Sequence, residues 1–244
     1  MRDGFIKVAA GTPKLQVADC RYNAEQIFFL MRKADEQGVR VLCLPELCIT
    51  GATCGDLFFQ DTLLRGAEEA LATILEATKN LDMVTAVGLP LRCQWDGKLY
   101  NCAALIQKGE ILGLVPKSHF PASSELQQSR WFASGAGVDF SVTVCGQRTS
   151  LSSKGLFFCQ SMPNLILGWR SARISGPRSR RPTRWSGAGP PSSSTPPPPA
   201  RAWARPTTAA LWSPASPAVW CAAMSLPAPA RASPPPTWSS ADTT

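Results

Sequence analysis

Histidine is almost absent from this 244-residue chain, with His119 the single one. Its nine cysteines are scattered, and no two form a Cys-x-x-Cys pair, which argues against a structural zinc site. No uninterrupted run of about 18 apolar residues occurs, so no membrane span is expected. A charged-then-apolar leader is also missing, so no secretory signal is evident. Scattered thiols without a leader point to a reducing cytoplasm, with cysteines that are free and mostly buried.

A second set of absences is regional. Residues 169–244 contain no Phe, Tyr, Asn, Gln, Glu or Lys, and Asp242 is their only acid. They hold nine Arg, 16 of the 22 prolines and six of the eight tryptophans. Residues 1–168 carry 16 basic and 16 acidic side chains, so the whole net charge of +8 lies in the tail. No apolar periodicity there spans two helical turns, so 169–244 is expected to be a disordered Pro/Arg/Ala/Ser-rich tail. On composition alone, such an arm could bind RNA or an acidic surface, or offer "TPPPPAR" to a proline-recognition module. Its arginines cluster only at "PRSRRPTR" and form no repeat, so nucleic acid is not expected as a partner.

Residues 1–168 read as alternating strands and helices. "GFIKVAAGTP" opens with a strand, and Asp19 can cap a helix in which Ala24, Ile27, Phe28, Met31 and Ala34 recur at helical spacing up to Gly38. "VRVLCLPE" and "MVTAVGLPL" are continuous apolar runs, the mark of strands covered on both faces. A second helix is expected over 61–79, through Leu64, Ala67, Leu71, Ile74, Leu75 and Thr78. "LYNCAALIQKGEILGLVPK" predicts two strands joined at Lys108-Gly109-Glu110. The order implies a layered α/β domain.

In such folds, reactive groups gather where buried strands give way to loops. Glu46 in "VLCLPELC" and Lys117 in "ILGLVPKSHF" both follow a proline that ends an apolar run. A carboxylate at such a place suits general-base work, and a neighbouring ammonium could stabilise a developing oxyanion. Each alone is a weak signal, because a single Glu or Lys in a loop is usually just solvated.

Together, "LCLPELCITGATCGDLF", "GLVPKSHFPASSELQQSRWFASG" and "VTVCGQ" resemble the nitrilase-type, carbon-nitrogen hydrolase glutaminase domain of glutamine-dependent NAD synthetases. The likeness covers most of residues 3–168. It implies an αββα sandwich, here incomplete, and a Glu-Lys-Cys triad that releases ammonia from glutamine. By motif, Glu46 matches the general base, Lys117 the lysine that steadies the tetrahedral intermediate, and Glu125 a second acid supporting that lysine. No cofactor is implied for this domain, since ATP and nicotinic acid adenine dinucleotide bind a synthetase domain missing from these residues. Homo-oligomers are expected of the full-length family. Stand-alone amidases and carbamoylases of the same superfamily are the alternative. Ala52 stands where the family has a pocket-lining Tyr, and His119-Phe120-Pro121 where it has Tyr-Leu-Pro, which makes His119 a packing residue.

The nucleophile is missing. The family places its cysteine in Val-Glu-Ile-Cys-Glu-Asp-Leu-Trp, whereas this chain runs "SMPNLILG" into "WRSARISG". Cys48 and Cys54 read as small buried hydrophobes instead. "WRSARISG" can be encoded TGG AGA TCT GCG AGG ATC TCT GG. Started one base earlier, the same letters spell Val-Glu-Ile-Cys-Glu-Asp-Leu-Trp. The same shift turns "WARPTTAALWSPASP" into Val-Gly-Lys-Ala-Asp-Tyr-Arg-Arg-Ala-Leu-Val-Ala-Ser-Gln-Ser. It turns "ASPPPTWSSADTT" into Gly-Glu-Ser-Thr-Thr-Asp-Leu-Val-Phe-Ser-Gly-His-Asn. Residues 169–244 are therefore read as an out-of-frame translation, with the cysteine codon lost across Ser171 and Ala172. A sandwich truncated in this way is expected to be poorly soluble and inactive.

Overall fold

Period-2 alternation decides which residues of the central strands meet which layer. The computed structural model describes residues 6–120, 128–159 and 166–171, with the strand segments 209–210, 220–225 and 238–241. Its first part runs β1 (Val8–Ala10), α1 (Cys20–Glu36), β2 (Val41–Cys43), α2 (Asp61–Ala77), β3 (Val84–Arg92), β4 (Leu99–Gln107), β5 (Glu110–Pro116), β6 (Asp139–Val144) and β7 (Gln147–Ser152). These strands form one seven-stranded sheet in the order β1-β2-β3-β4-β5-β7-β6. The pairs β1–β2, β2–β3 and β5–β7 are parallel, and β3–β4, β4–β5 and β6–β7 antiparallel.

Leu42, Val87, Leu89, Cys102, Ala104 and Ile106 share a core with Ile27 and Met31 of α1 and with Ala67, Leu71 and Ile74 of α2. Their strand neighbours Val41, Cys43, Val84, Ala86, Ala103 and Leu105 share another with Phe157, Cys159, Leu167 and Trp169. Both faces of the sheet are thus covered, as the continuous apolar runs predict.

Several local expectations hold. The Asp19 carboxylate accepts from the Tyr22 backbone N–H at 3.0 Å, and Gly38 follows α1 with φ +73°. α2 begins at Asp61 and stops two residues short of the expected end, because the Thr78 hydroxyl donates to the Ile74 carbonyl at 2.8 Å and caps the last turn. The β4–β5 turn places Lys108 (φ +50°) and Gly109 (φ +80°) in the left-handed region, as a two-residue hairpin requires. The β6–β7 hairpin repeats this geometry at Cys145 and Gly146, a turn the expected element order leaves out.

A second sheet lies on the far face. It contains β8 (Leu156–Cys159), β9 (Ile166–Ser171), β10 (Ala209–Ala210), β11 (Trp220–Ser225) and β12 (Trp238–Ala241), in the order β10-β11-β9-β8-β12. The compositional break after Gly168 falls inside β9, which runs on through Trp169 to Ser171. The rest of 169–244, apart from β10, β11 and β12, lies outside the described residues. Helices, sheet and sheet supply three layers of the expected αββα sandwich. A helical layer beyond the second sheet is not among the described residues. No helix among them is long and apolar enough to cross a membrane.

Candidate active site

Glu46 and Lys117 stand 71 positions apart in the chain, and the sheet brings them into contact. β2 ends at Cys43, Pro45 still forms an isolated bridge, and the chain turns from Glu46 onward. The loop then folds back over β3. The Leu44 N–H donates to the Ala86 carbonyl at 3.1 Å and the Ile49 N–H to the Gly88 carbonyl at 3.2 Å. Gly88 makes this possible, since a Cβ there would lie 2.4 Å from the Leu47 nitrogen and 2.6 Å from the Pro45 oxygen. Leu47 itself is fully buried with φ +53°, a conformation a leucine adopts only when its surroundings enforce it. Asn23 of α1 braces the loop from the other side, donating to the Ile49 carbonyl at 2.8 Å.

Lys117 follows Pro116, the last residue of β5. Its backbone N–H donates to the Asn101 carbonyl at 2.8 Å, and its own carbonyl accepts from Gly135 at 2.8 Å. The side chain turns inward. Lys117 Nζ donates to Glu46 Oε1 at 2.6 Å, to Glu46 Oε2 at 2.8 Å and to Gln128 Oε1 at 2.9 Å. Asn101 Nδ2 donates to Glu46 Oε1 and, at 3.4 Å, to Gln128 Oε1. Glu46 is 5% exposed and Lys117 4%, so the pair is shielded from water. The Phe120 ring lies 5.5 Å from the ammonium.

Two of the motifs that carry the resemblance touch each other here. Asp56, from "CGDLF", accepts from Trp131 Nε1 at 2.9 Å and from Arg130 at 3.1 Å, both from "SRWF". Phe58 packs edge-on against Phe132 at 4.8 Å. This clamp holds the turn that carries Gln128 against the segment following Glu46.

Two of the expected residues, Glu46 and Lys117, therefore meet. The third, Glu125, lies outside the described residues. Gln128, Asn101 and Gly88 escaped the sequence reading because an amide or glycine inside a strand-turn pattern carries no chemical signal of its own. His119 corrects another expectation: it is exposed rather than packed, because Lys117 and Phe120 take the inward positions of that loop. Ala52 is partly buried against the main core.

Neither nearby thiol offers a substitute nucleophile. Cys48 is fully buried, and burial pushes its thiol up to about 12, with the sulfur held at the Gly88 backbone. Burial also raises Cys54, whose sulfur faces the Thr50 carbonyl at 3.0 Å. Burial thus disfavours the thiolate of both.

The arrangement so built is a buried carboxylate whose two oxygens face one ammonium, at the ends of strands covered on both sides. Residues 7–162 match the carbon-nitrogen hydrolase family. A glutamine-dependent NAD(+) synthetase of Mycobacterium tuberculosis is 32% identical over 164 residues, which is 67% of this chain and 24% of that protein. The enzyme of the same name from Aquifex aeolicus is 32% identical over 136 residues, 56% of this chain and 23% of its own length. The chain thus spans about a quarter of the relatives it matches. Among solved structures, the crystal structure of a glutamine-dependent NAD(+) synthetase from Cytophaga hutchinsonii superposes with a TM-score of 0.57 at 25% identity, covering 66% of this chain and 27% of that one. With a nitrilase-like α/β fold and a family match across most of the described residues, the chain belongs to the carbon-nitrogen hydrolase family.

Proposed function

We propose that this chain is the N-terminal part of a glutamine amidohydrolase domain that supplies ammonia to an NAD synthetase, and that it is inactive as written for want of a nucleophile. The buried Glu46–Lys117 contact carries the reading. Burying an ion pair contributes little net stability, because desolvation offsets most of the attraction. A pair enclosed this completely at two strand ends is better explained by chemistry than by folding.

In the proposed reaction Glu46 takes the proton of a cysteine thiol, and the thiolate attacks the side-chain carbonyl carbon of glutamine. Lys117 donates to the oxyanion that forms. The C–N bond breaks as the proton passes from Glu46 to the leaving nitrogen, releasing ammonia and leaving a thioester. Water, deprotonated by Glu46, then releases glutamate and the thiol. Glu125 is proposed to act as a second acid that supports Lys117. The cysteine is the part missing from the protein: its codon falls across Ser171 and Ala172 in the shifted frame, just where β9 ends.

Trp169 supports the frame reading independently. It is 1% exposed, within a cluster that includes Val41, Val84, Ala103, Leu105, Val115 and Phe157. Its indole N–H finds no acceptor among the described residues. A buried unpaired donor costs about 1–3 kcal/mol. The shifted frame places valine at this position, which suits apolar surroundings.

Two measurements test the proposal. Sequencing the gene and its transcript across codons 165–172 should show one base fewer than the relatives' frame; an intact frame through Trp169 ends the frame reading. Restoring that base in the whole gene should yield glutamine-dependent ammonia release that Glu46→Ala abolishes, whereas the chain as written should show none. Loss of a nucleophile costs around 10⁶-fold. Glu46-dependent ammonia release from the unrestored chain would overturn the proposal.

A further inference from the structure

Four side chains at the site close into a ring. Lys117 Nζ donates to Glu46 Oε1 and to Gln128 Oε1, and Asn101 Nδ2 donates to the same two oxygens. Donors and acceptors alternate around it, and no member is more than 5% exposed. The ring fixes both amides: a flipped Asn101 would set its carbonyl oxygen against the carboxylate, and a flipped Gln128 its NH₂ group against the ammonium. All three N–H groups of Lys117 are used, two on Glu46 and one on Gln128. One carboxylate, one ammonium and two amides leave the ring electrically neutral.

The ring is not built for stability alone. Asn101 is fully buried, yet its Oδ1 has no partner among the described residues. A buried amide retained for stability would have both ends satisfied. Here one end is left unpaired while the other holds Glu46, as expected of a group kept for its orientation.

We propose that Asn101 and Gln128 are positioning residues: Asn101 sets the angle of the Glu46 carboxylate and Gln128 anchors the Lys117 ammonium. This deepens the reading of Glu46 and Lys117 as the reacting pair and rests on it. Gln128 holds the lysine through an amide oxygen and so adds no second negative charge. Among the described residues the lysine's positive charge is then balanced by Glu46 alone, and its direction is set by the ring.

The ammonium itself reports on the arrangement. In the full chain labelled with ¹⁵N-lysine, Lys117 should give a sharp, slowly exchanging Nζ–H signal, identified by its loss in Lys117→Met. Gln128→Leu removes one hydrogen bond to the charged group and should speed that exchange by about tenfold or more. Asn101→Asp, which sets a carboxylate against Glu46, should do the same. Gln128→Glu should restore protection, which a purely space-filling role would not produce. Should Gln128→Leu fail to fold, Gln128→Asn, with the same amide one methylene too short, makes the same comparison. Exchange at the wild-type rate in both Asn101→Asp and the Gln128 variant, or no rescue by Gln128→Glu, overturns the proposal. Because the reporter is the lysine, a restored-frame enzyme that hydrolyses no amide would sink the function proposed above and leave the ring standing.

Discussion

In the seven-stranded sheet, β3 is buried from Val84 to Leu91 and pairs with β4 at every position from Thr85 to Arg92. The five-stranded sheet instead joins strands drawn from as far apart as Leu156 and Ala241, and β10 contributes only two residues. The first sheet closes most of its antiparallel pairs through short turns, so each strand brings its neighbour into register. Long connections pay more loop entropy before any contact forms. Side chains do not divide so cleanly. Asn23, fully buried in the first region, makes three hydrogen bonds through its amide, but Thr85 Oγ1 and Asn101 Oδ1 of that region, like the Trp169 N–H of the second, have no partner among the described residues. The two regions differ in how locally their strands are joined.

The most damaging way to break the first region is to split its ion pair. Lys117→Met leaves the Glu46 carboxylate buried without its cation and should cost about 3–5 kcal/mol in chemical denaturation. Adding Glu46→Gln to that variant should recover much of the loss, since an unpaired buried charge costs more than two neutral groups. A single variant as stable as wild type would mean that the pair is not enclosed.

Gly88→Ala comes next. The added Cβ collides with the backbone of Pro45 and Leu47, which cannot swing aside as a side chain could. Overpacking of this kind should cost about 1–3 kcal/mol, read as a shift of the unfolding midpoint.

Trp169→Phe tests the second region with the opposite sign. It keeps an aromatic ring but removes the unpaired donor, so it should be neutral or stabilising by about 1 kcal/mol. A clear loss of stability would count against an unpaired indole N–H.

The smallest effect near neutral pH comes from the thiols. Burial pushes Cys48 up to about 12 and Cys20 up to about 11, while an unfolded thiol ionises near about 8.5. Above the unfolded value the unfolded chain holds fewer protons than the native one. The stability tied to these thiols is therefore fully present below about pH 8.5 and lost as pH rises towards 12. The denaturation midpoint should be flat from pH 7 to 8.5 and fall beyond it, less steeply in Cys48→Ala. A midpoint independent of pH up to 10 would contradict this.

Much of the first region is written locally. Asp19 marks a helix start because its carboxylate can reach the N–H of Tyr22. Lys108 and Gly109 mark a hairpin because a two-residue turn demands positive φ. The unbroken apolar run of β3 marks a strand covered on both sides. Each of these signals concerns residues a few positions apart, where sterics and hydrogen bonding act without the rest of the molecule. The abrupt change of composition at Trp169 is also visible in the letters alone.

The site required the assembled sheet. In the sequence Glu46 and Lys117 are both charged residues after prolines, and only the register of β2, β3, β4 and β5 sets them 2.6 Å apart. That register also places Asn101 beneath the pair and Gly88 beneath the loop, while the Asp56 clamp delivers Gln128. An amide or a glycine carries no local mark of such a task. Its role comes from which groups the fold brings within hydrogen-bonding distance and which atoms it leaves out.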